Sequence, residues 1–287
     1  MVSYENPKQA EGINVSDEHP VRELFILLSA VIVGVLMLVF LLSSIASWLS
    51  PYVSFSAEQQ LAQAIGIERM LGIDLTMNAD TDELSSQRNA LLVKLGSELV
   101  GLANFDDSMS VSIHYSEDDT VNAFATLGGH IVLFKGLVER LPNENSLAMV
   151  LAHEIAHVKL RHPIVATSRG ITVSLALSSI FGITDNAFVQ QIVEWIGYNS
   201  TLSFSRDQER QADALAADLL VAHYGHLEGA EGLFIAMAMA ETEKVFALDR
   251  IEFLTTHPGL NERVEVLRQR MVQMGGSGEP KPLPWGG

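Results

Sequence analysis

The sequence contains no cysteine, and this absence limits the kinds of site that it can form. Disulfide bonds, thiolate zinc sites and cysteine nucleophiles are all excluded. Any metal ion that the chain holds must therefore be bound by histidine, aspartate or glutamate. With 287 residues, the chain is long enough for an ordinary hydrophobic core, so its stability does not depend on covalent cross-links.

Basic residues are also scarce. The chain has 18 Lys and Arg residues against 35 Asp and Glu residues, which gives a formal net charge of -17. A phosphate backbone requires a basic binding surface, so we expect no nucleic acid among the partners. We interpret the dispersed acidic residues as a solvated surface.

Charged residues are absent from one long apolar run, "LFILLSAVIVGVLMLVFLL", which extends from Leu24 to Leu42. At about 1.5 Å per residue, roughly nineteen helical residues cover about the hydrocarbon thickness of a bilayer. Trp48 and Tyr52 follow where interfacial aromatic residues are expected. We therefore predict a transmembrane anchor over residues 24–49.

Two alternatives to an uncleaved anchor fit this run less well. Soluble core helices seldom extend this far without a polar face. A cleaved signal peptide would have a short basic leader, whereas the N-terminal tail, residues 1–23, is long and acidic.

The distribution of basic residues predicts how the anchor is oriented. Lys8 and Arg22 precede it, and the next basic residue is Arg69, so the positive-inside rule places the N-terminus in the cytoplasm. The tail does not resemble an Arg-rich transit peptide. We expect a single-pass protein of the bacterial inner membrane, with its larger domain on the periplasmic side.

The remaining chain reads as helices around a short strand pair. The segments 57–73 and 81–103 carry apolar residues at helical spacing. "MSVSIHY" and "TVNAFATLGGHIVLF" read as strands, with Gly128-Gly129 as the turn. We predict one domain over residues 58–275 and a flexible Gly/Pro-rich tail over residues 276–287.

A second apolar stretch covers residues 170–183 and contains no charge. It is too short to cross a bilayer and reads as a buried or membrane-dipping helix. A second membrane element, formed together with the following "AFVQQIVEWIGY", is the alternative.

The segment "VLAHEIAHVKLRH" contains an H-E-x-x-H pattern. On a helix, His153 and His157 project from one face, so that both imidazoles reach one ion. Two imidazoles and one carboxylate leave a zinc ion with an open position for water, and Glu154 would accept the proton of that water. The residues around the motif are uncharged, which predicts that the metal site is shielded from water.

The segment "SRDQERQADALAADLL" supplies candidates for the remaining ligands. Glu209 and Asp213 are four residues apart on a predicted helix, so both face one site. Glu209 would bind the metal, and Asp213 would accept the free N–H of a ligand histidine and fix its orientation.

Four ordered blocks of sequence together resemble a known family. They are "NAFATLGGHIVLFKGL", "AHEIAHV", "SRDQERQADALA" and "TTHPGLNERVEVL", and they extend from Asn122 to Leu267. They resemble the HtpX and CAAX-prenyl-protease type of zinc metalloendopeptidase, a gluzincin group that includes Oma-type and periplasmic quality-control peptidases. The resemblance implies a mainly helical α+β, zincin-like domain with a small antiparallel β-hairpin or sheet, behind one N-terminal transmembrane helix.

The resemblance also implies roles for individual residues. His153, His157 and Glu209 correspond to the ligands of one zinc ion per chain, and Glu154 to the catalytic base. The strand at Asn122, Ala123 and Phe124 is expected to lie beside the cleft and to pair with an extended polypeptide substrate, which would accept many sequences through backbone contacts.

For three further histidines and one arginine, the surrounding sequence indicates a role less specifically. His257 is either a structural residue before a helix or a group near zinc that binds the oxyanion or occupies the open position. We expect Arg263 to pair with a carboxylate near the site. His223 and His226 form an H-x-x-H without a carboxylate partner and are not predicted to bind metal.

Taken together, these patterns predict a membrane-anchored zinc endopeptidase that cleaves unfolded, membrane or envelope proteins in protein quality control. One alternative is a zinc-containing chaperone or adaptor that holds unfolded chains without cleaving them. The other is a zinc hydrolase with a non-peptide substrate, because zinc and a carboxylate base suit esters as well as amides. The sequence does not indicate the oligomeric state.

Overall fold

The computed structural model describes residues 20–67, 83–181, 204–234, 257, 260–274 and 278–285. The chain divides into two compact units, Met1–Leu42 and Ser43–Gly287. Helix α1 begins in the first unit and ends in the second.

The secondary structure consists mainly of helices, with one small sheet. The helices are α1 (Pro20–Leu49), α2 (Phe55–Ile65), α3 (Glu83–Leu102), α4 (Lys135–Val138), α5 (Glu144–Lys159), α6 (His162–Phe181), α7 (Arg206–Tyr224) and α8 (Leu260–Met274). The strands are β1 (Ser112–Ser116), β2 (Ala123–Thr126) and β3 (His130–Phe134). Short 3₁₀ turns occupy Ser50–Tyr52 and Leu127–Gly129.

Helix α1 contains the predicted anchor. Within the described residues, the segment Val21–Tyr52 is the one helix that is long and apolar enough to cross a membrane. Its apolar side chains are exposed rather than packed in a core. An exposed helix that is apolar on all sides requires a nonaqueous surround, so these features indicate membrane anchoring.

The sheet has the order β1-β3-β2, so that β2 is an edge strand. Strands β2 and β3 are antiparallel, with Ala125 opposite Ile131, and this confirms the predicted hairpin. Strand β1 lies parallel to β3, with Ile113 opposite Ile131, so the sheet as a whole is mixed. The sequence pattern predicted the hairpin because its turn is local, whereas the pairing of β1 depends on the rest of the fold.

The hairpin turn depends on glycine. Gly128 and Gly129 have φ angles of 78° and 83°, in the left-handed region that favours glycine. A Cβ atom on Gly129 would lie 2.1 Å from the carbonyl oxygen of Ser110. Glycine therefore permits both the backbone conformation and the close approach of the neighbouring loop.

Helix α5 carries the H-E-x-x-H motif and is buried on all sides. It begins with a capping box, in which Asn143 accepts a hydrogen bond from the Ser146 N–H and the Ser146 side chain accepts one from the Asn143 N–H. Every residue from Asn145 to Val158 is buried. The two motif histidines are thus held on a rigid central element.

Helix α7 packs along α5 more extensively than any other pair of described elements. It begins with a second capping box, Ser205 and Gln208, and ends at Gly225 with a φ angle of 80°. Small residues such as Ala212 and Ala216 are fully buried and permit the close approach. The mainly helical α+β fold expected from the sequence is confirmed.

A buried ion pair connects α2 to the motif helix and the hairpin. The Glu58 carboxylate lies 2.8 Å from Nη1 of Arg161, just after α5, and accepts a hydrogen bond from the Gly128 N–H at 3.0 Å. Arg161 also donates to the Val53 carbonyl oxygen at 2.6 Å. Residues before 58 therefore belong to the packed unit, which begins earlier than the predicted domain.

The predicted flexible tail requires a correction. Residues 278–285 lie against the start of α5, where the Glu144 N–H donates to the Lys281 carbonyl oxygen and the Lys281 N–H donates to Asn145, both at 2.8 Å. Leu283 is buried in the main core and Trp285 packs against that core. The Gly/Pro composition indicated flexibility, but two apolar side chains and backbone hydrogen bonds hold this segment in place.

We expect replacement of Leu283 by alanine to destabilise the fold by about 2–5 kcal/mol, because a buried leucine loses its packing and leaves a cavity. Urea denaturation of the full chain in detergent, followed by circular dichroism, measures the change. Glu279→Ala, at an exposed position of the same segment, should stay within about 0.5 kcal/mol of the wild type. Equal effects of the two substitutions would mean that the segment is not packed.

Candidate metal centre

Four side chains converge on one point in the interior. His153 and His157 come from α5, Glu209 from α7, and His257 from the segment before α8. One ligand atom of each lies within 4.8 Å of the others, and all four residues are buried. Among the described residues, these four side chains form the one group of three or more potential ligands that could hold a metal ion.

The facing atoms of the cluster lie at short distances. Nε2 of His153 is 3.0 Å from Nε2 of His157 and 3.2 Å from Nδ1 of His257. The Glu209 oxygens are 3.4 Å from Nε2 of His153 and 3.5 Å from Nε2 of His157. Nδ1 of His257 is 3.1 Å from Oε1 of Glu209. The lone pairs of three imidazoles and one carboxylate thus face a common centre.

Asp213 and Arg263 support the ligands from the opposite side. Asp213 lies 3.0 Å from Nδ1 of His153, the ring nitrogen that points away from the centre. Arg263 donates two hydrogen bonds to Asp213, at 2.6 and 2.8 Å, and its Nη1 lies 2.8 Å from Glu209. Such partners orient a ligand imidazole and fix which nitrogen is free to bind.

Glu154 lies at the edge of the cluster, completely buried. Among the described residues, neither of its carboxylate oxygens has a partner that meets both the distance and the angle of a hydrogen bond. The backbone N–H of Ala125 on β2 faces the carboxylate. Oε1 of Glu154 is 3.6 Å from Nε2 of His257. A buried carboxylate without a fixed partner is available to accept a proton from a molecule in the cleft.

Burial and mutual charge shift the pKa values of the cluster. Burial disfavours the charged form of His153, but bonds to Asp213 and Glu209 outweigh it and raise the pKa to about 9. Burial, followed by the charge of His153, lowers the pKa of His157 well below its ordinary value. Burial raises the pKa of Glu154, and His257 and His153 act in the opposite direction.

The two carboxylates of α7 stay ionised. Burial acts against the charged form of Glu209, but His257 and His153 outweigh it and lower the pKa. Burial likewise opposes the ionised form of Asp213, and bonds from His153 and Arg263 lower its pKa. Two negative charges that are largely removed from solvent require nearby positive charge. Arg263 supplies part of it, and a cation at the centre of the cluster would supply more.

The donor set fits zinc. Imidazole nitrogens and a carboxylate oxygen are the ligands that zinc takes in cysteine-free sites, and the two histidines on one helix are four residues apart. The site is dry, and Asp213 already holds one ligand ring in the orientation that binding requires.

Two residues of the site were not assigned from the sequence. Nδ1 of His162 lies 2.9 Å from Nδ1 of His157, so His162 contacts the second ligand as Asp213 contacts the first. Phe204 stacks on His157, with ring centroids 3.9 Å apart. The position of His162 five residues after His157 was a weak signal, because Pro163 indicated a helix end rather than a return to the site. No local pattern indicated Phe204.

The predicted substrate strand lies next to the cluster, because β2 packs against α5. Asn122, Ala123 and Phe124 are all buried, and the Asn122 carbonyl oxygen accepts a hydrogen bond from the Phe134 N–H at 3.1 Å. Only one edge of β2 is paired within the described sheet.

The other histidine pair lies away from the cluster. His223 lies in the last turn of α7 and His226 just beyond its end, and His223 lies 3.6 Å from Glu98. Neither is part of the group of potential metal ligands found among the described residues.

Comparison with known proteins identifies a family. The model described as "Peptidase family M48" matches residues 86–271, which include all of the site residues described above. The match covers well over half of the chain.

Several curated relatives share this region. The mitochondrial metalloendopeptidase OMA1 of Schizosaccharomyces pombe is 30% identical over 161 residues, 55% of this chain and 45% of that protein. The beta-barrel assembly-enhancing protease of Yersinia pestis is 31% identical over 63% of this chain and 38% of its own length. The metalloprotease YcaL of Escherichia coli is 23% identical over 80% of this chain and 87% of its own length. The chain thus spans about half or less of the first two relatives.

We expect Asp213→Asn to weaken zinc binding by about 10- to 100-fold, because the carboxylate that holds His153 is lost while its shape is kept. Competition with a chromophoric chelator measures the dissociation constant. Asp218→Asn makes the same change at an exposed position of the same helix and should leave zinc affinity unchanged. Unaltered affinity in Asp213→Asn would contradict the role given to this carboxylate.

Proposed function

The chain belongs to peptidase family M48, and from this membership we propose that it is a membrane-anchored zinc endopeptidase that cleaves unfolded or envelope proteins. The observation that carries the proposal is the convergence of His153, His157 and Glu209 beside the buried carboxylate of Glu154. Zinc is the metal of this family, and the donor set fits it.

The proposed roles follow from the geometry. His153, His157 and Glu209 would hold the zinc ion, which would polarise a peptide carbonyl and lower the pKa of water so that it can lose a proton near neutral pH. The carboxylate of Glu154 would take a proton from the attacking water and return it to the nitrogen of the leaving amine. The dry surround strengthens each of these electrostatic interactions.

We propose that His257 assists the reaction. Its Nδ1 faces the same centre as His153, His157 and Glu209, and its Nε2 faces Glu154. From this place the ring could also hold the metal, and it would lie close enough to donate a hydrogen bond to the oxyanion that forms on the substrate.

We propose that the substrate adds to the unpaired edge of β2 as an extended strand, next to Asn122, Ala123 and Phe124. Backbone pairing accepts many sequences, which suits an enzyme of protein quality control. Because β2 is buried and the Ala125 N–H faces Glu154, the pairing would place a scissile bond beside the base. The edge must open for the substrate to enter.

The proposed location is the bacterial inner membrane, with the catalytic unit on the periplasmic side. The apolar helix α1 and the few basic residues that precede it support this orientation. The Yersinia relative, a beta-barrel assembly-enhancing protease by name, is compatible with a role in the envelope.

We expect Glu154→Gln to lower the rate of casein cleavage by about 100- to 10,000-fold, because the amide cannot accept the proton of water. Zinc content should remain at one ion per chain in the full-length protein in detergent. Glu262→Gln, at an exposed position of α8, is the matched control and should cleave like the wild type. If the wild-type protein binds zinc and casein but does not cleave the casein, the proposed endopeptidase activity is wrong. The protein would then be one that holds unfolded chains.

If the substrate pairs with β2 as a strand, every second backbone amide of the substrate donates a hydrogen bond to β2. A peptide amide that donates to β2 loses its hydrogen bond when it is N-methylated, and we expect kcat/KM to fall about 2- to 10-fold. The next amide points away and should tolerate the methyl group. A series of singly methylated peptides tests this. A uniform effect along the peptide would contradict pairing with an edge strand.

A further inference from the structure

Helix α6 has two halves of different character. In the first half, His162, Ile164 and Thr167 are buried against the rest of the unit. In the second half, from Gly170 to Phe181, no residue carries a charge. Even so, Val173 is 37% exposed and Leu175 is 56% exposed. Ser178 is buried, so the segment is partly packed and partly exposed. A helix segment that has no charge and still exposes apolar side chains favours a nonaqueous partner.

Three of the four hydroxyl groups in this second half have a hydrogen-bond acceptor within the helix. Thr172, Ser178 and Ser179 each donate to the carbonyl oxygen four residues earlier, at 2.8 Å. Such bonds also occur in soluble helices. On an exposed and uncharged segment, however, they remove the need of these groups for water, which is the condition for contact with hydrocarbon.

The start of this half is attached to the end of the anchor that lies in the same unit. Oγ of Ser50 is 2.6 Å from Oγ of Ser168, and Nε of Arg169 donates to Oγ of Ser47 at 2.7 Å. At this end of α1, Trp48 is 68% exposed and Tyr52 is 77% exposed. Exposed Trp and Tyr at the end of a membrane helix mark the level of the lipid headgroups.

We propose that the second half of α6, Gly170–Phe181, contacts the lipid bilayer as a second, non-spanning membrane element. The proposal rests on the anchoring of α1. At about 1.5 Å per residue, roughly twelve residues measure about 18 Å, too short to cross a bilayer. Arg169, the last charged residue before this half, lies where a guanidinium can reach the headgroups while its helix enters the apolar layer.

This contact has a consequence for substrate choice. The same helix begins with His162, whose ring contacts the metal-site residue His157. Eight residues separate His162 from Gly170, which is about 12 Å along a helix. The catalytic cluster therefore lies close to the membrane surface, and the favoured substrates are polypeptide segments that emerge from the bilayer or lie on it.

The absence of cysteine makes a direct test possible, because one introduced cysteine carries the only thiol. Leu175→Cys in the full chain is spin-labelled and reconstituted in phosphatidylcholine and phosphatidylglycerol vesicles. Accessibility to oxygen, which concentrates in lipid, is compared with accessibility to a water-soluble nickel chelate. Leu36→Cys in α1 is the lipid reference. Val272→Cys in α8, 81% exposed, is the aqueous reference.

We expect the Leu175 label to resemble the Leu36 label, with high oxygen and low nickel accessibility. A label that resembles the one at Val272, while Leu36 is in lipid, would overturn the inference and leave the anchor intact. Low accessibility to both reagents would mean protein contact, and spin–spin broadening would mean a second copy. Either result would also overturn the inference.

An aqueous label at Leu36 would instead show that the anchoring of α1 is wrong, which is a failure of the proposed function itself. Val173→Cys repeats the measurement at a neighbouring exposed position, so that one poorly folded variant does not decide the outcome. The casein cleavage rate of each labelled protein, compared with the unlabelled wild type, reports that the fold is kept.

Discussion

Two carboxylates on α7, the buried Glu209 and the partly buried Asp213, are the constraint on which the catalytic unit depends. They lie one helical turn apart, where two negative charges removed from most of the solvent are stable only opposite positive charge. Arg263 from α8 contacts both carboxylates and provides part of that charge, and a zinc ion bound to neutral histidines would provide the rest. The register of α5, α7 and α8 is therefore determined by this network, and a bound zinc ion would share in it.

Helix α5 also connects the candidate metal centre to the hairpin that contains the edge strand β2. The C-terminal end of α5 is followed by Arg161, which is paired with Glu58 on α2, and Glu58 in turn binds the Gly128 N–H of the hairpin turn. The distance between the ligands on α5 and the edge strand β2 is thus held by a buried ion pair as well as by packing. Helix α2, which follows α1 in the chain, therefore takes part in positioning the hairpin relative to α5.

The site was largely visible in the sequence because its donors occur in pairs at helical spacing. His153 and His157, and Glu209 and Asp213, each lie four residues apart, and this spacing alone places both members of a pair on one face. His162 and Phe204 were not visible in this way. His162 reaches the site only because the chain turns back after Arg161, whose φ angle is 63°. Phe204 reaches it through the packing of α7 on α5.

Local sequence determined the features that depend on local physics: the apolar helix α1, the hairpin with its glycine turn, the capped helix α5 and the facing pairs of site residues. Only the tertiary structure decided the pairings between distant segments. It joined β1 to β3 in parallel, brought His257 to the ligands and packed residues 278–285 against the start of α5. The physical reason is that helix periodicity and turn chemistry act over a few residues, whereas these pairings are selected by burial and charge neutralisation across the whole fold.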